Sequence, residues 1–230
     1  MMHLKGFEKF SLLDYDNKVS AVLFFAGCNM RCPFCHNGDI VLHIDSSKDL
    51  SIDEAKEYLK QRKGLIDAVV ISGGEPTLMN ELPSLIKDIK EMGYLIKLDT
   101  NGTNPKVLKA LIEENLIDYI AMDIKNSFKK YHLTSGAKIN IFNIEESIKL
   151  IMQSGLDYEF RTTLVSEFHT IDDINEIKEM IKGAKKYRLQ KFIDNEGCIK
   201  KGLSPVPIEL ANEFVRILSS NIEDVSLRGY

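Results

Sequence analysis

Short apolar runs alternate with amphipathic stretches along the chain, and that alternation predicts its fold. The runs at 19–26, 68–72, 94–99, 119–123, 158–165 and 190–193 are rich in branched residues, often without a polar interruption. Strands buried on both faces read this way, whereas half-exposed strands alternate. Helical patterns fill the intervals. Ser51 and Glu54 are spaced as a capping box ahead of Ile52, Ala55 and Leu59. Leu82, Leu85, Ile86 and Ile89 share one helical face, with Gly93 as the stop. Asn104 and Pro105 read as an N-cap and first turn before Leu108, Leu111 and Ile112. Ile144, Ile148, Ile151 and Met152 lead up to Gly155, and Thr170 opens a helix carrying Ile171, Ile174, Ile177 and Ile181. Pro207 begins the last helix, with Ala211, Phe214, Val215 and Leu218 inward. Six strands alternating with six helices imply an α/β fold of right-handed βαβ units on a parallel sheet. Periodicity leaves an open sheet and a partial barrel as alternatives.

No repeat, low-complexity tract or Pro/Gly-rich linker divides the 230 residues. A single domain is expected, with a core at about 18–200, an N-terminal extension at 1–17 and a C-terminal helix at about 207–219. Thirty Lys and Arg against 34 Asp and Glu leave a net charge of −4, which argues against nucleic-acid phosphates as the main partner. The apolar stretch 21–27 is too short to span a bilayer, and the first eighteen residues hold Glu8, Asp14 and Asp16 without a signal-peptide core. A cytoplasmic protein with no membrane partner is expected.

Candidate chemistry begins with cysteine. Three of the four, Cys28, Cys32 and Cys35, fall in a C-x3-C-x2-C segment directly after the first expected strand; Cys198 stands alone. A disulfide framework would spread more cysteines over a shorter chain. Three thiolates on one loop can hold three irons of a cubane cluster and leave the fourth open, unlike an electron carrier with four Cys ligands. A Cys3His zinc site using His36, or unliganded thiols, are the alternatives.

The segment from Gly27 to Asn37, with Phe34 before the third cysteine, resembles the signature of the radical S-adenosylmethionine (SAM) enzymes. Its Cys-His-Asn ending resembles in particular the activases of glycyl radical enzymes. The resemblance implies a [4Fe–4S] cluster on Cys28, Cys32 and Cys35 that cleaves SAM to a 5′-deoxyadenosyl radical. It places Phe34, Cys35 and His36 at the cofactor. Ser72-Gly73-Gly74-Glu75-Pro76 resembles the superfamily's GGE motif, which implies that Gly73, Gly74 and Glu75 meet the SAM amino group. Glycines allow close backbone approach and a carboxylate accepts from an ammonium, although Gly-Gly is also an ordinary turn. Asp99-Thr100-Asn101-Gly102 and Asp123-Ile124-Lys125 resemble two further pieces of the pyruvate formate-lyase activase pattern. They imply a monovalent cation held by Asp99 and Asp123 beside SAM, with Lys125 and Arg161 close by. A turn at Asp99, a surface lysine and a structural ion pair at Arg161 are the competing readings.

All these motifs follow the ends of successive expected strands, the edge where parallel α/β folds bind ligands. The resemblance implies a partial (β/α)6 TIM-like barrel of the radical SAM type with a lateral opening for a protein substrate. That substrate would be a glycyl radical enzyme, with anaerobic ribonucleoside-triphosphate reductase favoured and a flavodoxin or ferredoxin-type reductant. A pyruvate formate-lyase-type activase and a small-molecule enzyme such as a deazaguanine synthase are the alternatives. One departure stands out: the late histidine of the pyruvate formate-lyase activase has no counterpart, since no His follows His169. Cys198 reads as a small buried residue, and His43, His132 and His169 as structural or exposed.

Overall fold

The computed structural model describes residues 2–230. Eight strands form one sheet in chain order: β1 (Leu4–Ser11), β2 (Ser20–Phe25), β3 (Ala68–Gly73), β4 (Leu95–Thr100), β5 (Tyr119–Asp123), β6 (Asp157–Leu164), β7 (Lys186–Lys191) and β8 (Asp224–Arg228). β1 runs antiparallel to β2, and every later neighbour pair is parallel. The sheet is not closed, and β1 and β8 are its edges among the described residues. The helices are α1 (Gly38–Leu42), α2 (Ile52–Gln61), α3 (Leu82–Glu91), α4 (Pro105–Glu113), α5 (Tyr131–Ser135), α6 (Ile141–Gln153), α7 (Ile171–Met180) and α8 (Ile208–Leu218).

Successive residues of a strand point to opposite faces. Leu23, Val69, Ile71, Leu98, Ile120 and Phe160 turn toward the helices and enter the main core. Val22, Val70, Tyr119 and Ala121 point the other way and pack with Tyr15 in a second, smaller cluster. Further across, this inner face becomes charged. Lys97 is in register with Tyr119, Asp123 with Arg161, and Arg161 with Arg188. Buried charges persist there because they are paired: Lys97 Nζ lies 3.6 Å from the fully buried Glu159, and Arg228 grips both Glu159 oxygens at 3.0 and 2.8 Å.

The six expected strands are present as β2 to β7, with two edges added. β1 occupies the expected N-terminal extension; it buries Leu4 but exposes Glu8, Lys9 and Phe10, as suits an edge. β8 follows the last helix. β7 begins at Lys186 instead of 190 because Arg188, a charge inside a strand, is matched by Asp224 of β8 at 2.5 Å. At α2, Ser51 accepts from the Glu54 backbone at 3.2 Å, but the full reciprocal capping box forms at Thr170 and Asp173 instead. Asn104 makes no side-chain cap; its amide donates to the Thr77 carbonyl at 2.9 Å.

Candidate active site

The cysteine loop leaves β2 without regular structure, and its shape is set by distant segments. From the end of β3, the Glu75 backbone donates to the Gly27 carbonyl at 2.8 Å, and the Asn37 amide donates back to the Gly73 carbonyl at 2.9 Å. The Arg31 backbone donates to Ser135 at 2.8 Å, while its guanidinium folds over the Cys28 and Met30 carbonyls at 2.6 and 2.7 Å. Gly38 donates to Gly197, and Lys200 to Pro33, at 3.0 and 2.8 Å. Across the top, the Asn101 amide reaches Asn29 Oδ1 at 2.9 Å and Cys28 Sγ at 3.8 Å. Burial pushes the Cys32 thiol up to about 11 and raises Cys28 and Cys35 as well, against a partial downward pull from Lys125. The metal-free thiols are therefore protonated at neutral pH.

Opposite the thiols, β4, β5 and β6 present a charge cluster. Arg161 Nε lies 2.9 Å from Asp123 Oδ1 and its Nη1 3.3 Å from Asp99 Oδ1, so one guanidinium spans two carboxylates. Lys125 Nζ takes the other Asp123 oxygen at 2.9 Å, and Ser72 Oγ donates to Asp99 Oδ2 at 2.8 Å. Burial would raise the Asp123 pKa, but Arg161 and Lys125 outweigh it and hold the carboxyl down at about 2. Burial would likewise discharge Lys125 and Arg161; Asp123 outweighs it and lifts both above their ordinary values. Asp123, Lys125 and Arg161 are all charged at neutral pH. Asp99 Oδ1 is buried and accepts no hydrogen bond, its nearest cation being that Arg161 nitrogen.

A cavity of about 240 Å³ brings these groups together: Cys28, Cys32, Phe34, Cys35, His36, Gly73, Gly74, Asp99, Asp123, Lys125 and Arg161 all line it. Glu75 does not. It is buried, and its Oε1 accepts from Thr77 Oγ1, the Thr77 backbone and Thr100 Oγ1 at 2.5, 3.1 and 2.8 Å, while Oε2 accepts from the Asn101 backbone at 2.5 Å. A carboxylate offers about four acceptor positions, and these four donors make Glu75 a clamp between two loops. The glycines beside it are also explained by the protein itself. Gly73 sits at φ +119°, where a Cβ would stand 2.2 Å from the Phe25 carbonyl, and a Cβ on Gly74 would stand 2.0 Å from that of Gly27.

His36 lines the cavity with its ring stacked on Phe192 at 5.7 Å and its Nε2 donating to the Ile193 carbonyl at 2.9 Å. The donor set facing the cavity from this loop is thus three thiols, and Cys198 lies outside, with its thiol 3.6 Å from the Ile193 carbonyl. That set suits a cluster bound by three cysteines better than one ion in a tetrahedron. His169 is buried and structural, one of the two readings its isolation in the sequence allows. Its Nδ1 accepts from the Val165 backbone at 3.1 Å and its Nε2 donates to the Lys125 carbonyl at 3.1 Å, with burial holding it neutral. Sequence reasoning missed Asn29, Asn37 and Asn101; only their place inside the motifs hinted at them.

The profile of the radical SAM superfamily matches residues 22–182. The chain belongs to the radical SAM superfamily. A provisionally named glycyl-radical enzyme activating enzyme of Methanocaldococcus jannaschii is 35% identical over 234 residues, covering 98% of this chain and 95% of that protein. The pyruvate formate-lyase-activating enzyme of Staphylococcus aureus (strain USA300) is 31% identical over 158 residues, 64% of this chain and 62% of its own. Among solved structures, a domain of a pyruvate-formate lyase-activating enzyme from Bacteroides vulgatus superposes with a TM-score of 0.58 at 17% identity, over 71% of this chain and 99% of that one. Streptococcus suis SuiB reaches 0.70 at 14% identity, over 89% and 47%. The fold is the partial TIM-type barrel of radical SAM proteins, and the chain is an enzyme of the radical SAM activase type. Its family implies a [4Fe–4S] cluster and SAM, and the three thiols around one cavity fit them. No helix among the described residues is long and apolar enough to cross a membrane.

Proposed function

We propose that this chain activates a glycyl radical enzyme by removing one hydrogen atom from a glycine α-carbon of that partner. The observation that carries the reading is the convergence of Cys28, Cys32, Cys35, Asp123, Lys125 and Arg161, drawn from three strands, β2, β5 and β6, on one cavity. One-electron reductive cleavage of the SAM sulfonium is the chemistry the cluster supplies when bound.

The chain's own residues do the rest. Cys28, Cys32 and Cys35 would hold three irons, leaving one open to SAM, and must each give up a proton first. Lys125 favours the thiolates. Asp123 stays ionised and can face a cationic ligand, while Arg161 and Lys125 can face a carboxylate. Phe34 supplies an apolar wall, backed by Phe168 at 6.1 Å. Gly73 and Gly74 bring backbone to the cavity edge, and Glu75 keeps that backbone in place. Asp99 Oδ1, buried without a hydrogen bond, is the oxygen a monovalent cation would use, with Asp123 beside it. Cys28 and Cys35 are only partly buried, which suits electron delivery by a flavodoxin or ferredoxin-type donor.

For the partner we favour anaerobic ribonucleoside-triphosphate reductase over pyruvate formate-lyase. The Cys35-His36-Asn37, Asp99-Thr100-Asn101-Gly102 and Leu227-Arg228-Gly229 segments, which resemble those of the reductase-activating proteins, support that order. The test is anaerobic reconstitution to about four irons per chain, then reduction with SAM beside each candidate partner. A glycyl doublet by electron paramagnetic resonance, lost when that glycine becomes alanine, is expected. SAM cleavage on a small heterocycle with no glycyl signal from either protein would overturn the reading. Replacing sodium and potassium by tetramethylammonium should weaken SAM binding; equal affinity would remove the cation.

A further inference from the structure

A second cavity, of about 600 Å³, adjoins the first, and Arg161 and Gln190 line both. It reaches outward to the turn between β1 and β2, where Leu12 and Leu13 are 63% and 88% exposed, and to Arg228 and Gly229 at the end of β8. It therefore leads from the gap between the two sheet edges to the cofactor cavity. Arg161, at the junction, is committed to Asp99 and Asp123. Gln190 is not: its side-chain amide has no hydrogen-bond partner among the described residues. Directly opposite it in register stands Thr163, whose hydroxyl is also without a partner there, and which lines the cofactor cavity. Both are half-buried.

The chemistry of this pair selects its ligand. A primary amide offers two donors and a twice-accepting oxygen, and a hydroxyl offers both roles. Water meets them while the cavity is open, but an occupant that expels water must meet them itself or leave them unsatisfied. A peptide group does so, with one N–H donor and one C=O acceptor. An anion fits less well, because the cations of the second cavity are spent: Lys97 on Glu159, Arg228 on Glu159 and Asp16. We propose that Gln190, with Thr163 beside it, grips the backbone of the extended, glycine-bearing segment of the partner as it passes from the second cavity into the first. The pair positions that backbone next to the cofactor and takes no part in the hydrogen transfer. This rests on the activase reading above.

The experiment uses reconstituted enzyme with pyruvate formate-lyase and anaerobic ribonucleotide reductase, each grown on α-deuterated glycine. The readout is deuterium found per 5′-deoxyadenosine formed, together with partner affinity measured without reductant. Gln190→Leu and Thr163→Val should each lower the deuterium ratio and weaken partner binding, and the double variant should lower the ratio at least tenfold. Gln190→Glu, which keeps the acceptors, should restore part of both. Wild-type ratios and affinities in the double variant would overturn the inference while leaving the activase reading intact. No deuterium transferred by the wild type from either protein would overturn that reading, and the inference with it.

Discussion

Adding one methyl group at Gly74 should cost this protein its cluster site without replacing a ligand. The Cβ would stand 2.0 Å from the Gly27 carbonyl oxygen, 2.6 Å from its carbon and 3.3 Å from Cys28 Cβ. Ordinary contact needs about 3.4 Å or more between such atoms, so the two backbones must separate by more than an ångström. That movement breaks two hydrogen bonds, Gly74 to Phe25 and Glu75 to Gly27, each 2.8 Å long. At about 1 kcal/mol apiece, plus desolvated partners left buried, Gly74→Ala should cost about 3 kcal/mol. For a chain of this size that is a fall of about 6–12 °C in Tm. The displaced carbonyl belongs to the residue before Cys28, so iron uptake should fail as well. Gly64→Ala is the control: it has φ +84° but no atom within 4 Å of its Cβ. It should cost about 1 kcal/mol of backbone strain and keep its iron. Thermal unfolding of the metal-free chain and iron per chain after reconstitution decide the matter. Full iron content in Gly74→Ala, with a Tm within about 2 °C of wild type, would refute the steric reasoning.

Alanine at Cys28, Cys32 or Cys35 should abolish the absorbance of the reconstituted cluster, whereas Cys198→Ala should retain it; loss in the Cys198 variant would end the three-ligand assignment. The ion pairs of Asp123 should show in the pH dependence of stability. Its carboxyl titrates at about 2 in the fold and about 3.9 when unfolded, so its contribution is complete above pH 4 and lost as pH falls toward 2. With the side chain 30% exposed, that contribution is about 1–2 kcal/mol. Urea titrations at pH 5 and 2.5 should show it in the wild type and not in Asp123→Asn; equal losses in the two chains would contradict the pairing.

Strands enclosed by helices on one side and a packed interior on the other were legible as apolar runs, which is why β2 to β6 stand close to their expected places. The edges were not. Arg188 and Arg228 interrupt the apolar pattern, and their partners Asp224 and Glu159 lie 36 and 69 residues away, a pairing no local window contains. The site was legible as motifs but not as contacts. Nothing in Gly-Gly-Glu says that the carboxylate turns inward to four donors, because the same letters serve a clamp or a ligand contact. Arg161 reads from the sequence as a neighbour of SAM or as a member of an ion pair, and its two aspartates come from separate strands that meet it only through the sheet register.

The way the cysteine loop is stitched has a consequence for when the protein can acquire its metal. The loop emerges early in synthesis, yet its last two ties, Gly38 to Gly197 and Pro33 to Lys200, come from near the far end of the chain. A parallel sheet of this kind also pairs strands over long separations and folds slowly. On the ribosome the three thiols therefore spend most of translation on an unshaped segment, more exposed than in the native state and correspondingly easier to oxidise. Cluster delivery belongs after Gly197 and Lys200 have joined the loop, and a cell making this protein in air should accumulate folded but thiol-damaged chains that added iron and sulfide cannot rescue without prior reduction.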